Sequence, residues 1–296
     1  MTHRRLLIAA AFPLSLSAQD TTATKASLLA ADRAAAAGAA ALADALAPDA
    51  ALLLPGLDIR RGHAEYAPYL AAIAASAEGR AAWTPLHAVV SRDGGFGCTT
   101  GVLHLAAAES TQPSTGRYLA CWARDRRGTW RMHALSRLAS PARLKALPDG
   151  LAGAPGSSGV AAPRGIDAPR AMRDADRAFA RFSADSGGPA NAFARWIAPD
   201  GMKLDGRAVP VRGPDEIRRD FAGFPPTGQF EWAPVDDLGG ASRDGSLGFT
   251  IGEARSAVSA TTVTYSKYLT VWRRESDGTY RFIFDTGSYR PAPPPR

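Results

Sequence analysis

With 296 residues, of which 46% are hydrophobic and 21% charged, the chain is long enough for two globular domains and too apolar to be a disordered protein. The net charge of +7 comes mainly from arginines that are scattered along the sequence. Because a nucleic-acid surface needs its basic residues clustered on one face, we predict no nucleic-acid partner.

The N-terminus has the three parts of a secretory signal peptide. A basic start at residues 1–5 precedes a short apolar run at 6–16, and small residues follow up to Ala18. We therefore predict a signal peptide over residues 1–18 and a mature protein that is periplasmic or secreted. The apolar run is too short to cross a bilayer and no second run of spanning length follows, so no membrane span is predicted.

The first half of the sequence returns in the second half, about 150 residues later. The repeated segments, in the same order in both halves, are Ala-Asp-Arg-Ala at 31 and 175, Ala-Pro-Asp at 47 and 198, Arg-Gly at 61 and 212, Trp-x-Pro at 83 and 232, Ser-Arg-Asp-Gly at 91 and 242, Tyr-Leu-x-x-Trp at 118 and 268, and Gly-Thr at 128 and 278. A preserved order predicts a duplicated domain, with one repeat at residues 26–138 and the other at 170–290.

In chain order, the first repeat begins with an apolar stripe of helical period from Leu28 to Leu46, which predicts one helix with Ser27 as its N-cap. Apolar runs bounded by turn residues predict the elements that follow. These are a strand at 51–54, a short helix at 63–75, and strands at 86–91, 95–106, 117–124 and 129–138.

Residues 139–169 are rich in Pro, Gly, Ala and Ser, a composition that predicts a flexible linker. The second repeat has the plan of the first, with a helix from Met172 that Gly187-Gly188-Pro189 interrupts. A short strand at 202–204, a short helix from Gly213, and strands at 230–235, 247–256, 261–274 and 279–285 complete it. The proline-rich tail at 291–296 is predicted to be disordered.

Each repeat is thus a helix, a strand, a helix and an antiparallel meander. We predict an α+β fold of two tandem cone-shaped domains, each a curved antiparallel sheet packed with N-terminal helices.

Motifs along the second repeat are similar to those of a known superfamily. They are Asp176-Arg177-Ala178-Phe179, Ala198-Pro199-Asp200-Gly201, Gly213-Pro214, Trp232-x-Pro234, Gly248-x-Thr250-x-Gly252, Tyr268-x-x-x-Trp272 and Asp285-x-Gly287. The repeat resembles the SnoaL-like, nuclear transport factor two-like superfamily, in a bacterial branch of undefined function. The resemblance implies a cone of curved sheet closed by helices. Members often pair through the open sheet face, so it also implies a monomeric pseudo-dimer formed by the two repeats.

The resemblance also suggests a catalytic residue, because the ketosteroid-isomerase branch uses a carboxylate on the strand after the first helix as a general base. That position falls on Asp205, with Leu54 as its counterpart in the first repeat. The donors of that branch would fall among Phe179–Phe182, which have no phenol, and near Thr270. The alternative for Asp205 is a turn residue that bonds its own backbone, and Asp285 has the same alternative in Asp-Thr-Gly.

Aromatic residues concentrate in the second repeat, which holds nine of the eleven phenylalanines. Aromatic rings bury large areas, so this repeat has either a better filled core or a pocket with aromatic walls. The candidate ligand-binding residues are Trp232, Phe249, Tyr268 and Trp272.

Cys98 and Cys121 lie on strands that the meander makes neighbours, so they are a candidate disulfide in an exported protein. The alternative is a pair of buried free thiols. The histidines of the mature chain, His63, His87, His104 and His133, lack the spacing of metal ligands, so we predict no metal site and no cofactor.

Three functions are compatible with these residues. The favoured one is an exported soluble protein that binds a small apolar or amphipathic molecule in the second repeat. The second is an acid–base enzyme of the isomerase, dehydratase or cyclase type that uses Asp205. The third is a non-catalytic structural or partner-binding module in which both cones are filled with side chains.

Overall fold

The computed structural model describes residues 18–74, 82–105, 114–139, 151, 153–205, 207, 209–259 and 261–293. All but the last residue of the predicted signal peptide, part of the predicted linker and the last three residues of the tail lie outside this range. Within it, no helix combines the length and the apolar character that crossing a bilayer requires.

Within the described residues, the first repeat contains three helices and six strands. They are α1 (Ala18–Ala35), α2 (Ala39–Ala45), β1 (Leu46–Leu53), β2 (Arg60–Arg61), α3 (Gly62–Ala74), β3 (Ala82–Val90), β4 (Phe96–Leu105), β5 (Ser114–Arg124) and β6 (Trp130–Ala139).

The second repeat has the same elements in the same order. They are α4 (Ala168–Ser186), α5 (Gly188–Trp196), β7 (Ile197–Leu204), β8 (Val211–Arg212), α6 (Gly213–Asp220), β9 (Gln229–Ala241), β10 (Leu247–Ala257), β11 (Val263–Arg274) and β12 (Tyr280–Tyr289).

The topology confirms two tandem α+β domains, each with one six-stranded sheet, and corrects one detail of the predicted sheet. The strand orders are β2-β1-β6-β5-β4-β3 and β8-β7-β12-β11-β10-β9. In each repeat the last strand pairs in parallel with the first long strand, β6 with β1 and β12 with β7. The sheets are therefore mixed, because the helix α3 or α6 and the meander return the chain to the edge of the first strand in the same direction.

The N-terminal helix of the first repeat differs from its prediction at two points. It begins at Ala18, so Ser27 is inside the helix and is no N-cap; its hydroxyl instead accepts a hydrogen bond from the Trp130 indole at 3.2 Å. Gly38, with φ of 145°, separates α1 from α2, as Gly187 with φ of 153° separates α4 from α5. Glycine adopts such positive φ values without the steric cost of a side chain.

The described part of the predicted linker makes hydrogen bonds to both repeats, including those from Lys25 to Gly156 and between His87 and Pro155. The Val160 amide donates to the carbonyl of Arg274 at 2.9 Å, and the Ala162 amide donates to the carbonyl of Asp244 at 2.7 Å. Leu151 is buried among the residues between the two sheets. Composition alone did not predict this docking, because backbone hydrogen bonds to a neighbouring surface do not depend on side chains.

Strand residues of both repeats share one buried cluster, so the two sheets pack face to face. Phe96 of β4 stacks on Phe249 of β10 with ring centroids 6.0 Å apart and planes 9° apart. This cluster is distinct from the two clusters between each sheet and its own helices.

Equivalent turns of the two repeats meet beside this interface. The Arg92 amide donates to the Ser246 hydroxyl at 3.0 Å, and the Asp244 amide donates to Oδ2 of Asp93 at 3.2 Å. Asp93 and Asp244 are the same position of the repeated Ser-Arg-Asp-Gly segment. A segment that contacts its own counterpart is the arrangement found in two-fold symmetric pairs.

Candidate functional site

A cavity of about 780 Å³ lies inside the second cone. This volume is within the range of small-molecule sites. Its walls come from α4, α5, β7 with the loop after it, the segment after α6, and β9, β10, β11 and β12, together with Pro55 and Leu138 of the first repeat. The aromatic wall residues are Phe179, Phe193, Phe221, Phe224, Phe230, Trp232, Tyr268 and Tyr289.

The aromatic wall is a packed set of rings around Phe179. This ring meets Trp232 edge to face with centroids 4.6 Å apart, and Phe193 in the same manner at 4.8 Å. Phe193 in turn contacts Phe221 at 4.8 Å and Phe230 at 6.1 Å. Mutual ring contacts of this kind hold the wall in place and leave an apolar surface toward the cavity.

A buried carboxyl lies at the helix side of the cavity. Asp176 of α4 is 1% exposed and accepts hydrogen bonds from the Thr250 hydroxyl at 2.7 Å and the Tyr268 hydroxyl at 3.1 Å. Burial raises its pKa to about 7, although these two hydrogen bonds oppose the increase. The Trp272 indole donates to the same Thr250 hydroxyl at 2.8 Å, so the group forms one polar network.

The repeated glycines on β10 explain how Tyr268 reaches this network. Gly252 is paired with Tyr268 on the neighbouring strand, and a Cβ atom at Gly252 would lie 2.3 Å from the tyrosine hydroxyl. The absence of a side chain therefore lets the tyrosine cross β10 toward Asp176. In the Gly-x-Thr-x-Gly segment, Thr250 supplies the second hydroxyl of the network.

The first repeat contains the same network. Asp32 is fully buried and accepts hydrogen bonds from the Tyr118 hydroxyl at 2.6 Å and the Trp83 indole at 2.7 Å. The Trp122 indole donates to the Thr99 hydroxyl at 3.0 Å. These residues are the counterparts of those in the second repeat and belong to the segments in which the repeats are identical. The network is therefore explained by the fold that both cones share.

A second polar group belongs to the second repeat alone. Thr270, Asp285 and Lys203 lie side by side across β11, β12 and β7. The Thr270 hydroxyl donates to Oδ1 of Asp285 at 2.6 Å, and all three residues line the cavity. Burial raises the pKa of Asp285 to about 6, against the hydrogen bond from Thr270 and the positive charge of Lys203.

The corresponding positions of the first repeat are apolar. Ala120, Leu135 and Leu52 lie side by side across β5, β6 and β1, in the same register. All three are buried in the first repeat, where Leu52, Ala120 and Leu135 belong to its helix-facing cluster. The second cone thus has polar residues at positions where the first cone has apolar ones.

An ion-pair cluster lies at one side of the cavity and contains the predicted catalytic residue. Asp205 accepts hydrogen bonds from the backbone amide of Arg207 at 2.9 Å and from its Nε at 2.7 Å. Asp220 pairs with Lys203 at 2.5 Å and also with Arg207. Asp205 lines the cavity, yet both of its oxygens bond its own turn, as its alternative interpretation predicts.

The other predicted site residues fall into two groups. Trp232 and Tyr268 line the cavity, and their contact with a ligand stays a prediction. Phe249 does not: it lies on the opposite face of β10, in the cluster between the sheets, because alternate residues of a strand face opposite sides. Trp272 is fully buried beneath α4 and α5, where it contacts Phe282, so it is no wall residue.

Asp285 also differs from its sequence interpretation. It lies inside β12 with its side chain on the cavity, and not in a terminal turn. The buried Asp176 and the partly buried Asp285 were not predicted as site residues. The identity of Asp176 with Asp32 and the contrast of Asp285 with Leu135 were signals already present in the two repeats.

The cysteines and histidines take separate positions in the first repeat. Cys98 and Cys121 face each other in the register of β4 and β5 and form a disulfide. His87 bonds the carbonyl of Pro155 at 2.7 Å, and His133 lies 3.5 Å from Asp49. Across the described ranges, no three metal-ligating side chains come together.

The comparisons with known proteins concern one repeat at a time. No family model matches the chain. No curated protein matches it either. Similar solved structures include a ketosteroid isomerase-like protein from Erwinia carotovora, with 15% identity over 40% of this chain and 92% of that chain, and a TM-score of 0.32.

Two further similar structures are proteins of unknown function. The one from Pseudomonas putida is nuclear transport factor two-like, with 13% identity over 42% of this chain and 91% of that one, and a TM-score of 0.35. The one from Nostoc punctiforme has a cystatin-like fold, with 15% identity over 44% of this chain and 97% of that one, and a TM-score of 0.34. Each match covers a length of about one repeat.

Proposed function

We propose that the second repeat binds a small molecule with an apolar body and one polar end inside its cavity. The observation that carries this proposal is the cavity itself, which combines aromatic walls with the polar group of Thr270, Asp285 and Lys203. Ligand sites are mostly apolar cavities with a few placed polar groups that fix the orientation of the ligand.

The contrast between the repeats supports the same proposal. Both repeats keep the buried network of Asp, Tyr, Thr and Trp, so this network is explained by folding. At the position of Asp285 in the second repeat, the first repeat has an apolar residue. Burying a carboxyl costs free energy, and the fold does not require a carboxyl at this position. Binding of a ligand by Asp285 explains why the second repeat has one there. A module with both cones filled does not agree with the open second cone.

The test is a pair of substitutions at Ser266, which lines the cavity on β11. Ser266→Trp fills the cavity, whereas Ser266→Ala leaves it open and serves as the matched control. Nile red, a neutral dye that fluoresces in apolar surroundings, is titrated into each protein. We expect saturable binding to the wild type and to Ser266→Ala, and at least tenfold weaker binding to Ser266→Trp. Equal binding by all three proteins would place the dye elsewhere and contradict the proposal.

A second function, acid–base catalysis on the bound molecule, is favoured by one observation. Asp285 has a pKa of about 6 on the cavity wall, where a carboxyl can both take up and release a proton near neutral pH. Asp205, the residue predicted for this role, bonds Arg207 with both oxygens and is the weaker candidate.

The catalytic alternative is tested by deuterium exchange at the acidic C–H positions of a cyclic ketone, with tetralone as the probe. If Asp285 is the catalytic base, the wild-type protein should exchange deuterium faster than buffer alone. Asp285→Asn should abolish this faster exchange, and Asp205→Asn should retain it. Exchange at the buffer rate would leave binding as the function of the cavity.

The packing of the two sheets supports a monomer in which one repeat takes the place of a second chain. Phe96 on Phe249, and the contacts between equivalent turns, occupy the sheet faces within a single chain. Light scattering after size exclusion tests this: we expect the mass of one chain, and a stable mass of twice that value would contradict it.

Export is the part of the proposal that concerns the N-terminus. It is supported by the three-part pattern of residues 1–18 and by the disulfide between Cys98 and Cys121, since oxidising compartments allow disulfides. N-terminal sequencing of the protein recovered from periplasm or medium should begin at Gln19. Recovery of the protein only from the cytoplasm, with Met1 retained, would contradict export.

A further inference from the structure

The charges around the cavity do not cancel, which bears on the kind of ligand that the proposed function needs. Lys203 and Arg207 are the cations on the wall, and they pair with Asp220 and Asp205. These two cations and two anions neutralise one another. Asp285 and Asp176 then remain as carboxyls for which no Lys, Arg or His nitrogen of the described residues lies within 4.0 Å. The cavity wall thus has two carboxyls that no described cation contacts, in a protein whose net charge is +7.

The two remaining carboxyls have different roles. The oxygen Oδ2 of Asp176 accepts two hydrogen bonds, from Thr250 and Tyr268, and Asp32 accepts equivalent hydrogen bonds in the first repeat. Asp176 is therefore committed to the fold. Asp285 accepts from Thr270 at Oδ1, and among the described side chains no donor to its other oxygen is found. That oxygen is available to a donor on a ligand.

The aromatic wall favours the same kind of group. Phe179, Trp232 and Tyr268 line the cavity together with Asp285. The faces of aromatic rings attract cations, with Trp the strongest, and desolvation strengthens the attraction. An ammonium group near these rings can also donate a charge-assisted hydrogen bond to the carboxylate. An alcohol can make the hydrogen bond alone, and a carboxylate ligand is repelled by Asp285.

We infer that the ligand is an amphipathic amine, whose protonated nitrogen bonds Asp285 and whose apolar body lies against the aromatic wall. This inference rests on the proposed function of the cavity and specifies its ligand class. The first repeat cannot bind such a molecule in the same way, because Leu135 stands in place of the carboxyl.

The test uses three probes of one shape that differ in their polar end: phenylpropylamine, phenylpropanol and phenylpropanoate. Each competes with Nile red for the wild-type protein at pH 8. We expect the amine to bind about tenfold or more tightly than the alcohol, as an added charge-assisted hydrogen bond provides, and the carboxylate to bind more weakly than either. An alcohol that binds as tightly as the amine would overturn the inference.

Two variants assign the preference to Asp285. Asp285→Asn should reduce the preference for the amine over the alcohol to about threefold or less, with the affinity for the alcohol retained. The double variant Asp285→Leu with Thr270→Ala installs the residues that the first repeat uses at these positions, so it keeps the test available where the asparagine variant folds poorly. Retention of the amine preference in either folded variant would overturn the inference.

The pH dependence gives an independent reading. The charged and titratable groups that face Asp285 are Lys203 on β7, Asp176 on α4, Tyr268 on β11, Asp220 on α6, and Asp205 with Arg207 in the loop after β7. An alkylamine stays protonated between pH 5 and 8, as lysine does. Protonation of Asp285 should therefore weaken amine binding toward pH 5 and leave alcohol binding nearly constant. An amine affinity that does not change between these pH values would count against Asp285 as the partner.

The outcomes separate this inference from the proposed function. Nile red binding that Ser266→Trp abolishes, without preferential displacement by the amine, overturns the inference and leaves the cavity as a binding site. Failure of Nile red to bind the wild type contradicts the proposed function, and the amine inference falls with it.

Discussion

Asp285 and Leu135 occupy the same position in the two sheets, and their neighbours differ in the same sense. Asp285 lies between Thr270 and Lys203, whereas Leu135 lies between Ala120 and Leu52. One duplicated scaffold thus carries a polar cavity wall in one copy and an apolar core in the other. The internal comparison distinguishes residues that the fold needs from residues that only the second cone has.

The buried aspartates that both repeats share should be required for stability. Asp32→Ala and Asp176→Ala each leave buried hydroxyl or indole donors without an acceptor, so each should lower the free energy of unfolding by about 2–4 kcal/mol. Urea unfolding at pH 7 measures the effect. The exposed Asp185→Ala is the control and should change stability by less than about 0.5 kcal/mol. A loss near that of the control would contradict a structural role.

Asp285 should instead reduce stability as the pH rises. Its pKa in the folded protein, about 6, is above the ordinary value of 3.8. The folded state therefore holds a proton that the unfolded state has already lost, and stability falls as the pH rises through this window. Asp285→Leu removes this part of the slope. Relative to the wild type, the variant should gain about 1–3 kcal/mol between pH 4 and pH 8.

Urea unfolding of both proteins at the two pH values measures that gain. Asp176 titrates in both proteins, but the charge of Asp285 raises its pKa, so the difference between the proteins reports Asp285 together with this coupling. A difference that is the same at pH 4 and pH 8 would show that the carboxyl is not desolvated in the folded protein.

Phe249 should matter for the packing of the repeats and not for the ligand. Phe249→Ala removes a ring that is buried between the sheets and should cost about 3–5 kcal/mol of unfolding free energy. Because the ring is outside the cavity, the affinity for Nile red should change by less than about twofold. A double-mutant cycle with Phe96→Ala should give a coupling of about 0.5–1.5 kcal/mol from the stacked pair. Strictly additive losses would contradict the direct contact.

The fold was predictable from the sequence because each helix and strand occurs twice, so that the pattern in one repeat could be checked against the other. The meander, the short helices and the break at Gly187 follow from local patterns. The parallel pairing of β1 with β6 does not, since the direction in which a distant strand returns depends on tertiary packing. Gly38 acts as Gly187 does, but a single glycine among alanines gives little local signal of a helix break.

The site was less predictable because its residues depend on which face of the sheet encloses the cavity. Alternation along β10 shows that Phe249 and Thr250 face opposite sides, but it does not tell which side packs on the other repeat. Asp285 was assigned to a turn because Asp-Thr-Gly is a common turn sequence. Its place in the strand follows from the pairing with Thr270, which lies fifteen residues away in the chain.

The central claim is that an amine binds in the second cone and not in the first. NMR of the tryptophan indole N–H groups during titration with phenylpropylamine tests it most directly, because it reports on both cones at once. The protein has six tryptophans, and Trp232 and Trp83 are equivalent residues of the two repeats. Trp232 lines the cavity, whereas Trp83 is buried in the first repeat, where its indole donates to Asp32. We expect a saturable shift of the Trp232 indole signal with the Trp83 signal unchanged. A shift of Trp83 without Trp232, or no shift of Trp232 at saturating amine, would contradict it.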